Sequence, residues 1–235
     1  METGNPETVF SHVHRCAALT SDTFDRLLAG DPQYWGCKNS VAAFILEREV
    51  MDTQQDCRES FELVALGTGD ICYGGWLDFS GRRLHDMHGL VVARRALQRY
   101  LYKQLLLGCS VKEPADREKC IFQPSAEGGR LALKPKVFVH LYLSCTPTGA
   151  SENFPNPAAE DRVFPSQICK AAMLRYFRQL VQQMNENALL ALPTYHQAKT
   201  QAASYQSAKE QLFAHLITQG LGKWPEKHLV DNFTG

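Results

Sequence analysis

A surplus of positive charge is missing from this chain: 25 basic residues balance 25 acidic ones over 235 positions. A dedicated nucleic-acid binder ordinarily carries a basic excess, because phosphate neutralisation supplies most of its affinity. Any contact with RNA would therefore rest on a local patch. Missing too is an apolar stretch of membrane-spanning length; the longest apolar runs are Val41 to Leu46 and Val137 to Leu143. No membrane partner is expected. Residues Met1 to Asn5 contain no basic segment leading into an apolar run, so no secretory leader is read there. The eight cysteines (Cys16, Cys37, Cys57, Cys72, Cys109, Cys120, Cys145 and Cys169) form no C-x-x-C pair. Without an export signal they read as reduced, mostly buried thiols of an intracellular protein.

What is present is an ordinary globular composition, with 44% hydrophobic and 21% charged residues, enough chain for one domain with its own core. Helical periodicity runs from residue 9 to 29 and breaks at Gly30-Asp31-Pro32. Ser40 can cap the short apolar stretch Val41 to Leu46, which ends in charge at Glu47-Arg48-Glu49, and Gln54 to Glu59 reads as a loop. Strands are expected over Phe61 to Leu66, Ile71 to Tyr73 and Trp76 to Phe79, with glycines between them as turns. A long helix follows from about Met87 to Leu107, stopped by Gly108. Glu127-Gly128-Gly129 falls in a loop, and Val137 to Ser144 has the pattern of a strand buried on both faces. Residues 145–165 are polar and rich in proline, a linker or long loop. Helices are expected from Ser166 to about Asn185 and from Pro193 to about Gln219, the second stopped by Gly220 and Gly222.

Several separated blocks carry a resemblance. Leu66-Gly67-Thr68-Gly69 through Leu84-His85-Asp86-Met87-His88, then Val92-Ala93-Arg94-Arg95 and Leu101 to Leu107, resemble the deaminase domain of the adenosine-to-inosine RNA editing family. Tyr195-His196-Gln197-Ala198-Lys199 and Gly222-Lys223-Trp224-Pro225-Glu226-Lys227 resemble that family's C-terminus. The resemblance implies one deaminase-like domain over 1–235, of the α/β class, with a central sheet flanked by helices. The family's central portion is missing around residues 150–165. The sheet should therefore be truncated and keep exposed edges.

The resemblance also implies a chemistry. Zinc deaminases hold the metal with one histidine and two cysteines, and a glutamate two residues after the histidine carries protons without ligating the metal. The family writes these as H-A-E, then P-C-G, then a third block. This chain has His88-Gly89-Leu90 and Pro147-Thr148-Gly149, and no counterpart of the third block. Leu90 can neither take a proton from water nor give one to a departing amine. The neutral hydroxyl of Thr148 is a poor zinc ligand beside a thiolate. Cys145, at the strand's end, is three residues away and on the other strand face, too far to replace it. No catalytic residues are therefore assigned, zinc is not expected, and His88, Leu90 and Thr148 are vestigial positions.

A broken H-x-E on this scaffold is similar to the adenosine deaminase domain-containing (Tenr-type) proteins of germ cells, non-editing relatives in male germ-cell RNA processing. That likeness implies RNA or RNA-processing proteins as partners, in the nucleus or cytoplasm, although the usual N-terminal double-stranded RNA-binding module is absent from this chain. The resemblance to the editing family further implies inositol hexakisphosphate as a cofactor. The matching positions are Arg94, Arg95, Tyr195, Lys199, Tyr205, Lys209, Trp224, Glu226 and Lys227. An anion of that charge is tolerable inside a domain only among several Lys, Arg and Tyr donors. On one continuous helix, Tyr195, Lys199, Tyr205 and Lys209 would fall within about a third of the circumference. With the central portion missing, the site would be partial.

Three readings of function follow: a non-catalytic relative acting in RNA processing, an active RNA-specific adenosine deaminase, or a splice or gene-prediction fragment without independent function. The loss of the glutamate together with a thiolate ranks the first above the others.

Overall fold

The computed structural model describes residues 6–33, 35, 40–51, 57–69, 79–109, 119–125, 131–145, 166–220, 222 and 231–234. The chain forms two compact units, Met1–Gly74 with His85–Ala159, and Gly75–Leu84 with Glu160–Gly235.

The first unit is built on a three-stranded antiparallel sheet. Strand β1 (Val41–Met51) lies between β2 (Cys57–Thr68) and β5 (Val137–Leu143). Helix α1 (Pro6–Gly30) and helix α2 (Gly89–Cys109) pack on it. A small hairpin, β3 (Phe122–Pro124) with β4 (Leu131–Leu133), completes the described part. This is the expected α/β class with a helix-flanked central sheet.

Alternation along β1 divides the packing. Ala43, Ile45 and Glu47 face one way, and the fully buried Ala43 and Ile45 meet Cys16 of α1 with Leu19, Phe61, Leu63, Leu66 and Tyr142 around them. The other face receives α2. Gly67, opposite Ala42 in register, lies so close that a Cβ there would stand 2.2 Å from the Gly89 carbonyl oxygen and 2.4 Å from the Ala93 nitrogen. The expected apolar face of α2 is buried deepest at Ala93. From the same helix the buried amide of Gln104 accepts the Ile121 N–H through its Oε1 at 3.1 Å.

Several expectations are corrected here. Val41 to Leu46 is not a capped segment ending at Glu47; strand β1 continues through Glu47, Arg48 and Glu49 to Met51. Pairing on both sides carries the charged residues into the sheet, and the Val41 N–H is satisfied by the Ser144 hydroxyl at 2.9 Å rather than by Ser40. β2 begins at Cys57, inside the expected loop. Gly108 does not stop α2, which runs on through Cys109. Strand β5 is present, but it is not buried on both faces: Phe138, Val139 and Leu141 are exposed. α2 covers β2 and β1, and β5 is the outer strand of the described sheet. The expected strands at 71–73 and 76–78, the loop at 127–129, Cys37, Cys72 and residues 146–165 of the linker lie outside the described residues.

The second unit is helical. Helix α3 (Lys170–Gln183), the expected helix after Ser166, buries Ala172, Met173, Leu174, Leu180 and Val181. Its N-terminus is capped by the Cys169 thiol, which accepts the Ala172 N–H. After the short α4 (Asn187–Leu190), the expected single helix from Pro193 is two: α5 (Tyr195–Thr200) and α6 (Ala203–Thr218). Thr194 and Gln197 form a capping box at the start of α5. The break at Gln201-Ala202 is supported by Gln206, whose side-chain amide donates to the Lys199 carbonyl at 2.7 Å. Gly220 and Gly222 take positive φ of 72° and 82° after α6, as glycine permits.

Candidate functional site

The His88-Gly89-Leu90 motif stands at the N-terminus of α2, where the helix meets the end of β2. His88 acts as the N-cap: its carbonyl accepts the Val92 N–H at 3.0 Å. Gly89 donates to the Gly69 carbonyl at 2.8 Å. Any side chain at Gly89 would meet the Ser40 carbonyl oxygen at 2.3 Å, so the turn depends on glycine where the family motif carries alanine. Asp86 holds His88 in place. Its Oδ1 accepts the His88 backbone N–H at 3.1 Å and lies 2.8 Å from the imidazole Nδ1. A carboxylate beside the first turn also suits the positive end of the helix dipole. The ring is thus oriented through Nδ1, as a carboxylate orients many ligating histidines.

Of the family's other motif positions, that of Leu90 lies among the described residues. Leu90, two residues after His88, is half-buried in the first turn of α2. Thr148 lies outside the described residues. Cys145 is an exposed free thiol beyond the end of β5. Among the described residues His88 joins no group of three metal-ligating side chains.

The residues implied for the inositol phosphate divide between the two units. Arg94 is exposed and Arg95 half-buried on α2. In the second unit, the α5–α6 break removes the continuous helix on which the stripe was read, so Tyr195 with Lys199 and Tyr205 with Lys209 ride on separate helices. The ring of Tyr195 stacks on Phe233 at 5.5 Å. Lys199 donates to Asp231 at 3.4 Å, and the Lys170 ammonium reaches the other oxygen of the same carboxylate. Burial pushes the Asp231 carboxyl up, but the hydrogen bond and charge of Lys170, followed by those of Lys199, outweigh it and hold the group below its usual range. Lys209 lies over the Phe213 ring at 5.1 Å, and Tyr205 is exposed. Trp224, Glu226 and Lys227 lie outside the described residues.

Sequence reasoning missed a second constellation. His12 of α1, Glu47 of β1 and His140 of β5 converge on the α1 face of the sheet, within the first unit. His140 Nε2 lies 2.6 Å and His12 Nε2 3.2 Å from the same oxygen of Glu47, with the two nitrogens 3.1 Å apart. The signal available was the alternation Ala43, Ile45, Glu47, which puts an acid on a buried face.

The profile of the adenosine-deaminase (editase) domain matches residues 65–165 and 155–228. Rat double-stranded RNA-specific adenosine deaminase is 29% identical over 154 residues, covering 65% of this chain and 12% of that protein. Macaca fascicularis tRNA-specific adenosine deaminase 1 is 37% identical over 102 residues, 43% of this chain and 19% of that protein. Mouse double-stranded RNA-specific editase B2 is 31% identical over 132 residues, 56% of this chain and 17% of that protein. The chain thus spans between about an eighth and a fifth of the length of these relatives. No described helix is long and apolar enough to cross a membrane. With its profile match extending over more than half its length, the chain belongs to the adenosine-deaminase (editase) domain family.

Proposed function

We propose that this chain is a catalytically inactive member of its family that acts in RNA processing in germ cells, during spermatogenesis. The observation that carries the reading is Leu90 in the first turn of α2, directly after the His88-Gly89 cap. Deamination of adenosine needs a group that takes a proton from the attacking water and delivers one to the leaving amine. A leucine side chain has no such atom. The family's zinc would supply an activated hydroxide, but of its ligand positions this sequence keeps His88 and substitutes Thr148. The chain's own residues still position a histidine at a helix N-terminus, which supports a retained scaffold rather than a retained reaction.

The relatives' printed names point to double-stranded RNA and transfer RNA as what they act on; RNA, or the proteins that process it, is accordingly the partner class proposed here, in the nucleus or cytoplasm. Inositol hexakisphosphate is proposed as a structural ligand held in part by Arg94, Arg95, Tyr195, Lys199, Tyr205, Lys209, Trp224, Glu226 and Lys227. The proposal treats residues 1–235 as one deaminase-like domain with its linker at 145–165. Removal of the chain from germ cells tests the role. Altered transcript processing with unchanged inosine at edited sites is expected; loss of inosine at those sites would refute it.

A further inference from the structure

Glu47 is 5% exposed in the middle strand of the sheet, and the two partners of its carboxylate are imidazole nitrogens. A buried carboxylate requires compensation. Three elements distant in sequence supply the set. Glu47 points to the α1 face with Ile45 and Ala43; His140 lies on the same face of β5, opposite Ile45 in register; His12 lies one turn before the buried Cys16 on α1. His12 is further fixed by edge contacts with the rings of Phe61 at 5.0 Å and His140 at 4.4 Å.

Hydrogen bonds serve only part of this triangle at a time: with His140 Nε2–H donating to Glu47, a His12 Nε2 without hydrogen keeps its lone pair close to both groups. If each Nε2 carries a hydrogen directed at Glu47, two N–H groups crowd together with their nitrogens 3.1 Å apart. If His140 lacks that hydrogen, its lone pair faces a carboxylate oxygen at 2.6 Å. A cation engages all three lone pairs together. Tetrahedral zinc, about 2.0–2.1 Å from nitrogen and oxygen ligands, sets neighbouring donors roughly 3.3 Å apart, against the 2.6, 3.1 and 3.2 Å found here. An ion at that ligand distance would stand roughly 1 Å off the plane of these donors. His12 and His140 have side chains 26% and 30% exposed, so solvent reaches the group.

We infer that His12, Glu47 and His140 form a binding site for a divalent first-row transition ion, separate from the His88 position, that ties α1 to strands β1 and β5. Two imidazoles and one carboxylate suit zinc, cobalt or ferrous ion. The site does not depend on the catalytic state of the chain, because its three residues stand outside the H-x-E and P-C-G motifs.

Zinc is the probe. The full chain, stripped with chelator and dialysed against zinc, is expected to retain one equivalent and to unfold at a higher temperature with zinc than without. Cobalt in its place should give visible bands without the near-ultraviolet band of a thiolate ligand. His140→Gln and His12→Gln should each weaken binding about 100-fold or more while leaving the far-ultraviolet circular dichroism unchanged; two variants on different elements guard against local misfolding of either. His88→Gln should bind as the unaltered chain does. Absence of retained metal, a thiolate band, full binding by both triad variants, or loss of binding in His88→Gln would each overturn the assignment.

Discussion

Replacing Gly67 by alanine tests how α2, and with it the His88 cap, is seated on the sheet. The added methyl would lie 2.2 Å from the Gly89 carbonyl oxygen and 2.4 Å from the Ala93 nitrogen. Both obstacles are backbone, so no side-chain rotation relieves them, and the start of the helix must move away from β2 by about 1 Å to restore ordinary contact. That movement stretches the 2.8 Å bond from Gly89 N–H to the Gly69 carbonyl. Overpacking of about 1–3 kcal/mol combines with about 1 kcal/mol for the hydrogen bond. The expected loss is about 3 kcal/mol, or roughly 6–12 °C in melting temperature for a chain of this size. The control is Gly30→Ala at the end of α1, where a methyl meets nothing within 4 Å; alanine there should stabilise by about 0.4–1 kcal/mol through the unfolded chain. Denaturant titration followed by circular dichroism reads both. Equal stability of Gly67→Ala and the unaltered chain would show that α2 is not packed this closely and would refute the reasoning.

Further consequences follow from the electrostatics and the thiols. Because Asp231 titrates below its usual range in the folded state, its ion pairs with Lys170 and Lys199 stabilise the second unit above about pH 4 and are lost as pH falls through the lowered value. Asp231→Asn should flatten the acid limb of the stability profile between about pH 5 and 2; an unchanged limb would contradict the pairing. Burial, then the charge of Glu47, pushes the Cys16 thiol up, while Cys145 is exposed. Alkylation followed by peptide mass mapping should label Cys145 well before Cys16, Cys120 or Cys169, and early labelling of Cys16 would contradict its place in the core. Leu90→Glu alone should not create deaminase activity, since Thr148 still stands where a thiolate is needed; inosine production by that variant would show the metal cage to be intact.

Much of this architecture was legible in residue spacing. The 3.6-residue period gave α1, α2 and α3, because each has an apolar face long enough to outweigh its polar residues. Short elements were less readable. Val41 to Leu46 carries no period of its own, and only pairing with β2 and β5 on both sides makes it the start of a strand that carries Glu47 into the core. The apolar run in β5 suggested two buried faces, yet burial belongs to the neighbours, and α2 covers β2 and β1 instead. The α5–α6 break has neither glycine nor proline to announce it; a glutamine side chain, Gln206, takes the carbonyl that helix continuation would have used. At the site, the His88-Gly89-Leu90 motif was readable because its residues are contiguous. The His12, Glu47 and His140 group was not, because α1, β1 and β5 bring it together from distant parts of the chain.

The most direct test of the central claim is single-turnover deamination, with the full chain in excess over an adenosine-containing RNA duplex or transfer RNA and zinc and inositol hexakisphosphate supplied. With hydrocarbon at Leu90, inosine should stay at the level of a protein-free control, and His88→Ala should change nothing. Inosine accumulating with the unaltered chain, and disappearing with His88→Ala, would contradict the account.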